Sequence, residues 1–463
     1  MLRINRQTSA GRFLKPWTVQ DLLKLQGRSA STIHGNIPLS LFATQFARLF
    51  DCIGSSMRYL LLSNFYPPNG RGGYEQLCHE VAHALCARGH KIAVLTTRGG
   101  IDLPDDPVRV YRELKLEVNG GLLPTALRLA IDREKIARQN VAALDCIVAD
   151  FEPDAALVWG MWNVSRNVPE RSEKLLPTAY YFCDYWPTLP NAYIQRLREP
   201  ARHAAASLPK KLLTRWFLPR LMAEPAPKLA FRNAACVSFA TRDRLSQAGI
   251  IAEQTPVIYN GIDTTEFADV VSPAVEENSP IRLIYAGRLV PEKGVHTILE
   301  ALVLVRECLS SPFELMIIGA GSADYEHQLR TFAATKSLPV TFAGFVPRPV
   351  LPEFLGRGHI LVFPSQWEEP LSRAVFEGMA AGLAVVGTTT GGTGEVLVDG
   401  ETGLTFDSGD AAGLAEQLVR LIVDESLRGK LAARGREIIF ERFDIVRTVD
   451  GLESLLTTMT RSR

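Results

Sequence analysis

Two histidines and a glutamate near residue 80 have the spacing of a zinc site. His79, Glu80 and His83 form the pattern H-E-x-x-H. On a helix this spacing places two imidazoles on one face with a carboxylate beside them, as in zinc peptidases. A zinc site also needs a third protein ligand, so the rest of the sequence decides whether this interpretation holds.

The sequence that follows argues against zinc. The longer zinc-peptidase pattern would place a glycine and a third histidine where Cys86 and Gly89 stand. The other common arrangement uses a later glutamate, and no glutamate occurs between Ala84 and Arg112. At about 100° per residue, both histidines also lie opposite the apolar side chains of the helix. We therefore interpret them as its polar face and predict no metal site.

A glycine-rich loop, "NGRGGYE" at 69–75, lies between the first buried strand and this helix. Paired glycines let backbone amides approach a phosphate, and a helix N-terminus favours negative charge. An ordinary tight turn has the same composition. Gly72 and Gly73 are therefore candidates for binding a phosphate or a substrate.

A second loop, "GAGSAD" at 319–324, begins like a dinucleotide-binding fingerprint. Asp324 occupies the position of the third glycine, where a carboxylate would repel a pyrophosphate. We interpret this loop as a strand-to-helix turn, and a nicotinamide-dependent enzyme is the lesser alternative.

Two cations follow another predicted strand, in "YAGRLVPEKGV" at 285–295. Arg288 comes directly after Gly287, and Lys293 follows five residues later. At the carboxyl edge of a sheet, both cations would stabilise the charge of a departing diphosphate. The alternative is two solvated charges on a loop.

Two glutamates are spaced by eight residues in "EPLSRAVFE" at 369–377. Ser372 is a good N-cap, so we predict that Glu369 lies in the loop and Glu377 in the helix. The amides of Leu371 and Ser372 would face a phosphate, and a carboxylate beside a cleft suits a vicinal diol such as ribose. The alternative is an ordinary surface helix.

Predicted strands and helices alternate from Met57 onward, which is typical of parallel sheets covered on both faces. This alternation of strands and helices stops near residues 263–280 and then resumes. The fold class is α/β, with two doubly wound, Rossmann-like domains facing a cleft. We predict an N-terminal domain at 57–262, a linker at 263–280 and a C-terminal domain at 281–440, followed by a helix and tail at 441–463.

Residues 1–56 differ in composition and in sequence pattern from the rest of the chain. They are basic and lack a clear strand–helix rhythm or a secretory signal. We interpret them as an extension that is disordered or a start-site artefact, with translation beginning at Met57. The alternative is a targeting or interaction arm.

The composition argues against some classes of function and indicates a cellular compartment. A net charge of +1 gives no general attraction to nucleic acid, and no apolar run is long enough to span a membrane. Seven cysteines without a C-x-x-C pair indicate reduced thiols and a cytoplasmic protein.

Taken together, these motifs resemble the retaining glycosyltransferases of family 4, which have the two-domain GT-B fold. The resemblance covers about residues 57–457 and rests on an ordered series. Its members are "GGYE…RGHKIAVLT", "YNGID", "YAGRLVPEKG", "FAGFV", "EPLSRAVFE" and "VVGTTTGGTGEVLVDGETGLTF".

The resemblance implies a role for each matching position. A nucleotide-diphosphate sugar is the donor, with no cofactor and no divalent metal, and the C-terminal helix crosses back to the first domain. Catalytic roles fall to Arg288, Lys293 and Glu369. Gly72 and Gly73 lie near the diphosphate and the acceptor. The donor nucleotide is held by Gly287, Arg288, Lys293, Gly344, Phe345, Val346, Leu371, Ser372 and Glu377.

One position departs from the family pattern. Members often have a His-Asp pair whose histidine contacts the donor sugar, and here Cys183 precedes Asp184. A thiol is a poor hydrogen-bond donor, which puts the contact and the identity of the sugar in doubt.

A stretch at 206–232 mixes basic residues with Trp and Leu, a composition that fits an interfacial helix on anionic lipid. A lid packed over the cleft fits equally well. The basic members are Lys210, Lys211, Arg215 and Arg220, and the apolar members are Leu212, Leu213, Trp216, Phe217 and Leu218.

The sequence therefore predicts a cytoplasmic, metal-independent, retaining transferase, and peripheral contact with the inner face of the membrane is a further hypothesis. Its acceptor would be a glycan, a lipid-linked sugar or a small molecule, and no nucleic acid is expected as a partner. A nucleotide-sugar epimerase on the same fold and a non-catalytic nucleotide-sugar-binding protein are the alternatives.

Overall fold

The computed structural model describes residues 56–69, 72–99, 106–118, 132–199, 204–223, 227–276 and 279–461. The described residues from Met57 onward belong to one compact unit. The predicted N-terminal extension, apart from Ser56, therefore lies outside the described residues.

The first half of the described chain forms one six-stranded parallel sheet in the order β3-β2-β1-β4-β5-β6. The order reverses between β1 and β4, which is where ligands bind in doubly wound sheets. Its strands are β1 (Arg58–Ser63), β2 (Lys91–Thr97), β3 (Arg109–Leu114), β4 (Ala155–Gly160), β5 (Thr178–Phe182) and β6 (Asn233–Cys236).

The second half repeats this topology in the order β12-β11-β10-β7-β8-β9, so its reversal lies between β7 and β10. The prediction of two doubly wound domains is confirmed. The strands are β7 (Ile281–Ala286), β8 (Phe313–Ile318), β9 (Val340–Gly344), β10 (Ile360–Phe363), β11 (Ala384–Gly387) and β12 (Leu404–Thr405).

Central strands are buried on both faces because helices cover each sheet. Every residue of β4, β5 and β10 is buried, in agreement with their continuous apolar sequences. The helices of the first half are α1 (Gly73–Ala87), α2 (Arg133–Phe151), α3 (Asn167–Leu175), α4 (Ala192–Arg198), α5 (Ala204–Ala223) and α6 (Phe239–Gln247).

Helices of the second half include the two that end the described chain. The full set is α7 (Val295–Cys308), α8 (Ala323–Thr335), α9 (Leu351–Leu355), α10 (Arg373–Ala380), α11 (Ala411–Val423), α12 (Glu425–Arg442) and α13 (Ile445–Arg461). Within the described part of the chain, no helix combines the length and apolar character needed to cross a bilayer.

The last helix returns to the first domain, as predicted. α13 packs against α1, β4 and β5. Arg88 at the end of α1 pairs with Asp450 at 2.6 Å, and the Gly261 amide donates to Thr448 Oγ1 at 2.8 Å. These contacts attach the end of the chain to the sheet that carries the first glycine loop.

Candidate functional site

The first glycine loop faces the second domain. A Cβ atom on Gly73 would lie 3.4 Å from Cδ of Arg373, the first residue of α10. A Cβ on Gly72 would lie 2.2 Å from Glu75 Oε2, so a side chain there would displace the Glu75 carboxyl group. The predicted loop and helix start therefore lie against the helix that carries Glu377.

Helix α1 buries the apolar face that its sequence predicts, including Leu77, Val81 and Leu85. Its opposite face is not simply solvated. Glu80 accepts hydrogen bonds from Arg373 Nη1 at 2.9 Å and from Nη2 at 3.0 Å. Burial alone would raise the pKa of Glu80, and the charge and hydrogen bonds of Arg373 lower it overall.

Lys293 and Glu369 form an ion pair at the carboxyl end of the second sheet. Lys293 ends a single 3-10 turn after β7, and Ser365 Oγ donates to Glu369 Oε1 at 2.6 Å. Gly294 follows with a φ of +67°, and a Cβ there would lie 2.1 Å from the Pro364 carbonyl oxygen. This close approach places the lysine beside the loop that holds the glutamate.

Arg288 lies exposed immediately after β7. Its charge acts on the carboxyl group of Glu75, which belongs to the first glycine loop and helix. Burial raises the pKa of Glu75, and the positive charge of Arg288 opposes that effect. Arg288 therefore lies close enough to the first domain for its charge to act on Glu75.

Glu377 lies within α10 and is almost fully buried. Its Oε1 atom pairs with Arg348 and lies 3.8 Å from Nε of Arg373. Burial alone would lower the pKa of Arg348, and the carboxylates of Glu377 and Glu80 raise it overall. Ser372 caps α10 as predicted, and its side chain makes no capping hydrogen bond.

The segment Gly344–Val346 follows β9 at the same sheet edge. Gly344 has a φ of +72°, and Phe345 is 49% exposed. The Gly319 amide donates to the Gly344 carbonyl at 2.8 Å, which links this loop to the one after β8. The partly exposed Phe345 therefore lies at the sheet edge where the cations lie.

The "GAGSAD" loop is a strand-to-helix turn, as predicted, because α8 begins at Ala323. A Cβ on Gly319 would lie 1.8 Å from the Gly287 carbonyl oxygen, and one on Gly321 would lie 2.0 Å from that of Leu289. These glycines thus allow the loops after β7 and β8 to pack together.

Cys183 and Asp184 follow β5 in the first domain. Burial raises the pKa of the Cys183 thiol well above its usual value, so the thiol stays protonated. Burial also raises the pKa of Asp184 to about 6, and the nearby Glu75 carboxyl adds to this effect. Asp184 Oδ1 accepts a hydrogen bond from the Trp186 amide at 2.9 Å.

The structure adds three charged residues that the sequence did not single out, namely Glu75, Arg348 and Arg373. Glu75 and Arg373 lie inside quoted motifs, so their positions were visible. The ion pairs could not be predicted from the sequence. Arg373 pairs with Glu80 across 293 positions, and Arg348 pairs with Glu377 across 29.

Two family models match consecutive parts of the chain. The model described as Glycosyltransferase Family 4 matches residues 71–266, and the model described as Glycosyl transferases group 1 matches residues 271–438. The chain belongs to the family 4, group 1 glycosyltransferases. The two matches together contain every candidate site residue named above.

Curated relatives of this family 4 chain are about 30% identical to it over the aligned residues. The lipopolysaccharide core biosynthesis glycosyltransferase LpsE of Rhizobium meliloti is 31% identical, over 49% of this chain and 66% of LpsE. The putative glycosyltransferase YtcC of Bacillus subtilis is 28% identical, over 43% of this chain and 54% of YtcC. The alignments thus span about half to two thirds of these relatives.

Solved glycosyltransferases share the GT-B fold of this family 4 chain. A glycosyltransferase from Rickettsia africae gives a TM-score of 0.66 at 15% identity, covering 88% of this chain and 100% of that one. Anabaena HepE in complex with UDP-glucose gives a TM-score of 0.62 at 20% identity, covering 87% of this chain and 100% of that one.

A cavity of about 440 Å³ opens at the carboxyl edge of the first sheet, near the ends of β2 and β3. Its lining combines apolar side chains with three cations and one carboxylate, namely Arg98, Lys115, Lys135 and Asp132. Asn69 Nδ2 donates to the Arg98 carbonyl at 3.1 Å, so the cavity adjoins the first glycine loop.

Proposed function

We propose that this chain transfers a sugar from a nucleotide-diphosphate sugar to an acceptor hydroxyl, with retention at the anomeric carbon. The observation that carries the proposal is the grouping at the second sheet edge. Lys293 and Glu369 pair there, and the charge of Arg288 acts on Glu75, beside the first glycine loop. Family membership and the UDP-glucose bound to Anabaena HepE support the same donor class.

The proposed donor site uses the cations for phosphate and the carboxylates for hydroxyls. Arg288 and Lys293 bind the diphosphate, together with the amides of Leu371 and Ser372. Glu377 accepts hydrogen bonds from ribose, and Glu369 contacts the donor sugar. The base lies along the Gly344–Val346 loop, where Phe345 offers an exposed ring.

The bond that breaks joins the anomeric carbon to the β-phosphate oxygen, and the bond that forms joins that carbon to the acceptor oxygen. The electron pair leaves with the diphosphate, whose new charge is met by Arg288 and Lys293. The departing phosphate takes the acceptor proton. No protein nucleophile is invoked in this scheme.

We propose that the transfer needs no divalent metal and no cofactor. Two side-chain cations and the N-terminal end of α10 supply the positive potential that a metal provides in other transferases. Chelator treatment should therefore leave the turnover of labelled donor unchanged. A loss of turnover that returns with Mg²⁺ or Mn²⁺ would contradict metal independence.

The acceptor is proposed to approach through the first domain, next to Gly72 and Gly73. The cavity lined by Arg98, Lys115 and Lys135 adjoins that loop and suits an acceptor carrying both anionic and apolar groups. A glycan, a lipid-linked sugar and a small molecule all remain acceptor classes under this proposal.

Helix α5 supports a membrane-presented acceptor. Leu208, Leu212 and Trp216 lie four residues apart on one exposed face, with Trp216 at 63% exposure. On the packed side, Leu213 and Phe217 contact the cluster formed by α4. An exposed apolar face beside Lys211 and Arg215 fits the headgroup region of an anionic bilayer, so we place the enzyme at the cytoplasmic face of the membrane.

Liposome flotation tests the membrane contact. Wild-type protein should float with anionic vesicles, whereas Leu212→Ser/Trp216→Ser should stay in the bottom fraction. Val423→Ser removes an exposed apolar residue of α11 and serves as the control. Equal flotation of the double variant and the control, or no flotation of wild type, would support the lid alternative.

Isotope-labelled donor tests the reaction class. Incubation with and without an acceptor pool should give a labelled glycoside only when acceptor is present. Conversion of the donor sugar without acceptor would indicate an epimerase, and binding without either product a non-catalytic protein. Glu377→Ala should weaken donor binding, and unchanged binding would contradict the ribose assignment.

A further inference from the structure

We propose that His79, His83 and Asp106 form a binding site for one divalent transition-metal cation of the Zn²⁺ class. The site lies on the outer face of α1, where it meets the loop that leads into β3. Asp106 lies at neither of the two sequence spacings at which zinc peptidases carry their third ligand, but the fold brings it to both histidines.

The three ligand groups are close enough to share one ion. Their potential ligand atoms all lie within 4.8 Å of one another. His83 Nε2 is 3.0 Å from Asp106 Oδ1, and the two imidazole centroids are 4.0 Å apart. Ligand atoms about 2.0–2.2 Å from a tetrahedral Zn²⁺ lie roughly 3.3–3.6 Å from each other, so small side-chain rotations suffice.

The hydrogen bonding of His83 determines which nitrogen can bind a metal. Its Nδ1 lies 2.9 Å from the His79 carbonyl oxygen. A carbonyl oxygen only accepts, so Nδ1 carries the hydrogen and donates. Nε2 is then the nitrogen that faces the Asp106 carboxylate, so a cation bound there would contact both groups. An imidazole N–H bonded to a carbonyl is the usual support of a metal-bound histidine.

The other two ligands are also prepared for a cation. Asp106 Oδ1 accepts a hydrogen bond from the Val108 amide at 2.8 Å, which orients the carboxylate. The His79 ring lies 4.0 Å from the His83 ring, centroid to centroid, and so borders the same space as the carboxylate. The Asp106 side chain is 14% exposed and that of His83 is 31% exposed, so an ion can enter from solvent.

Two imidazole nitrogens and one carboxylate oxygen suit Zn²⁺ and its first-row neighbours rather than Mg²⁺ or Ca²⁺. The site does not have the chemistry of a peptidase. Glu80, which would have to be the general base, is held by Arg373 on the other side. The proposed role is structural, because one ion would tie α1 to the loop before β3.

Zinc titration of the chelator-stripped full chain tests the site. Wild type should bind one Zn²⁺ per chain and gain thermal stability with rising free Zn²⁺. Asp106→Asn keeps an acceptor for the Val108 amide, and His83→Asn keeps a donor near the His79 carbonyl. Both variants should bind Zn²⁺ at least tenfold more weakly. His327→Gln, at an exposed position of α8, is the matched control and should bind Zn²⁺ as wild type does.

A Co²⁺ spectrum identifies the ligands independently of the variants. A site of two histidines and one carboxylate gives ligand-field bands without a thiolate charge-transfer band. That band would implicate a cysteine such as Cys86, whose Sγ lies 3.7 Å from the Pro107 carbonyl, and would overturn the proposal.

Binding of less than one Zn²⁺ per chain would also overturn the proposal, as would equal Zn²⁺ affinity of Asp106→Asn and His327→Gln. So would a protonated His83 paired with Asp106 at neutral pH in the presence of Zn²⁺, observed by NMR. If a variant does not fold, wild-type stoichiometry and the Co²⁺ spectrum decide.

Discussion

Glu80 and Arg373 form a two-point ion pair between the two domains. The carboxylate lies on α1 and the guanidinium on α10, with both hydrogen bonds at or below 3.0 Å. Arg373 also approaches Glu377, which pairs with Arg348. A continuous chain of charges therefore runs from the helix after the first glycine loop to the proposed ribose site.

Removing the charge of Glu80 should destabilise the protein. The Arg373 side chain is only 5% exposed, so Glu80→Gln leaves a buried cation with one fewer carboxylate partner. We expect a loss of about 1–3 kcal/mol in the free energy of unfolding, measured by urea denaturation. Glu113→Gln, which breaks the exposed pair with Arg98, should cost about 0.5 kcal/mol or less.

A double-mutant cycle with Arg373→Met isolates the pair itself. If Glu80→Gln and Arg373→Met contribute additively to the unfolding free energy, the two groups do not interact and the ion pair is refuted. Because Arg373 also approaches Glu377, the same cycle should be repeated with Glu377→Gln.

Much of the fold was predictable because its signals are local. The buried strands are continuous apolar runs, and three helices beside the candidate site, α1, α7 and α10, begin after Gly72, Gly294 and Ser372. Strand β3 is the exception, since five of its six residues are exposed or half-buried. An edge strand of this kind carries little apolar pattern, and its pairing with β2 supplies the missing information.

The sequence named candidate site residues one by one, but it did not show which side chains would pair. Arg288, Lys293, Glu369 and Glu377 were found from motif spacing, whereas the contact between Glu80 and Arg373 spans 293 positions. Asp106 was missed for the same reason. No local pattern encodes which side chains meet when two separate segments pack together.

Lys293 should matter more for turnover than for stability. If it stabilises the departing diphosphate, Lys293→Met should lower kcat about 10²- to 10³-fold. It also leaves the buried Glu369 without its cation, so the unfolding free energy must be measured beside the rate. Lys293→Arg keeps the charge and should retain more activity. Lys336→Met, at an exposed site, is the control, and an equal loss there would contradict the assignment.

Asp184 should make stability depend on pH. Burial raises its pKa to about 6, so the folded state holds this proton more tightly than the unfolded state does. The stabilising contribution is complete below about pH 4 and is lost as pH rises through 6. Asp184→Asn should therefore gain on the order of 1–3 kcal/mol relative to wild type between pH 4 and 7. A difference that does not vary over this range would show that the carboxyl is not perturbed.

Gly294→Ala should be among the more damaging small substitutions. Gly294 has a φ of +67°, and the new Cβ would lie 2.1 Å from the Pro364 carbonyl oxygen, so the turn that ends at Lys293 has to move. We expect a loss of about 1–3 kcal/mol in the free energy of unfolding, from the left-handed backbone and the clash together.

Gly429→Ala provides the matched control for the same chemical change. Gly429 lies inside α12, and a Cβ there meets nothing within 4 Å. Because alanine favours a helix interior over glycine, this variant should gain roughly 0.5–1 kcal/mol. Since Gly294 also sets the approach of Lys293 to Glu369, Gly294→Ala should lower kcat, whereas Gly429→Ala should not. Equal stability of the two variants in urea denaturation would contradict the packing of the Lys293 turn against β10.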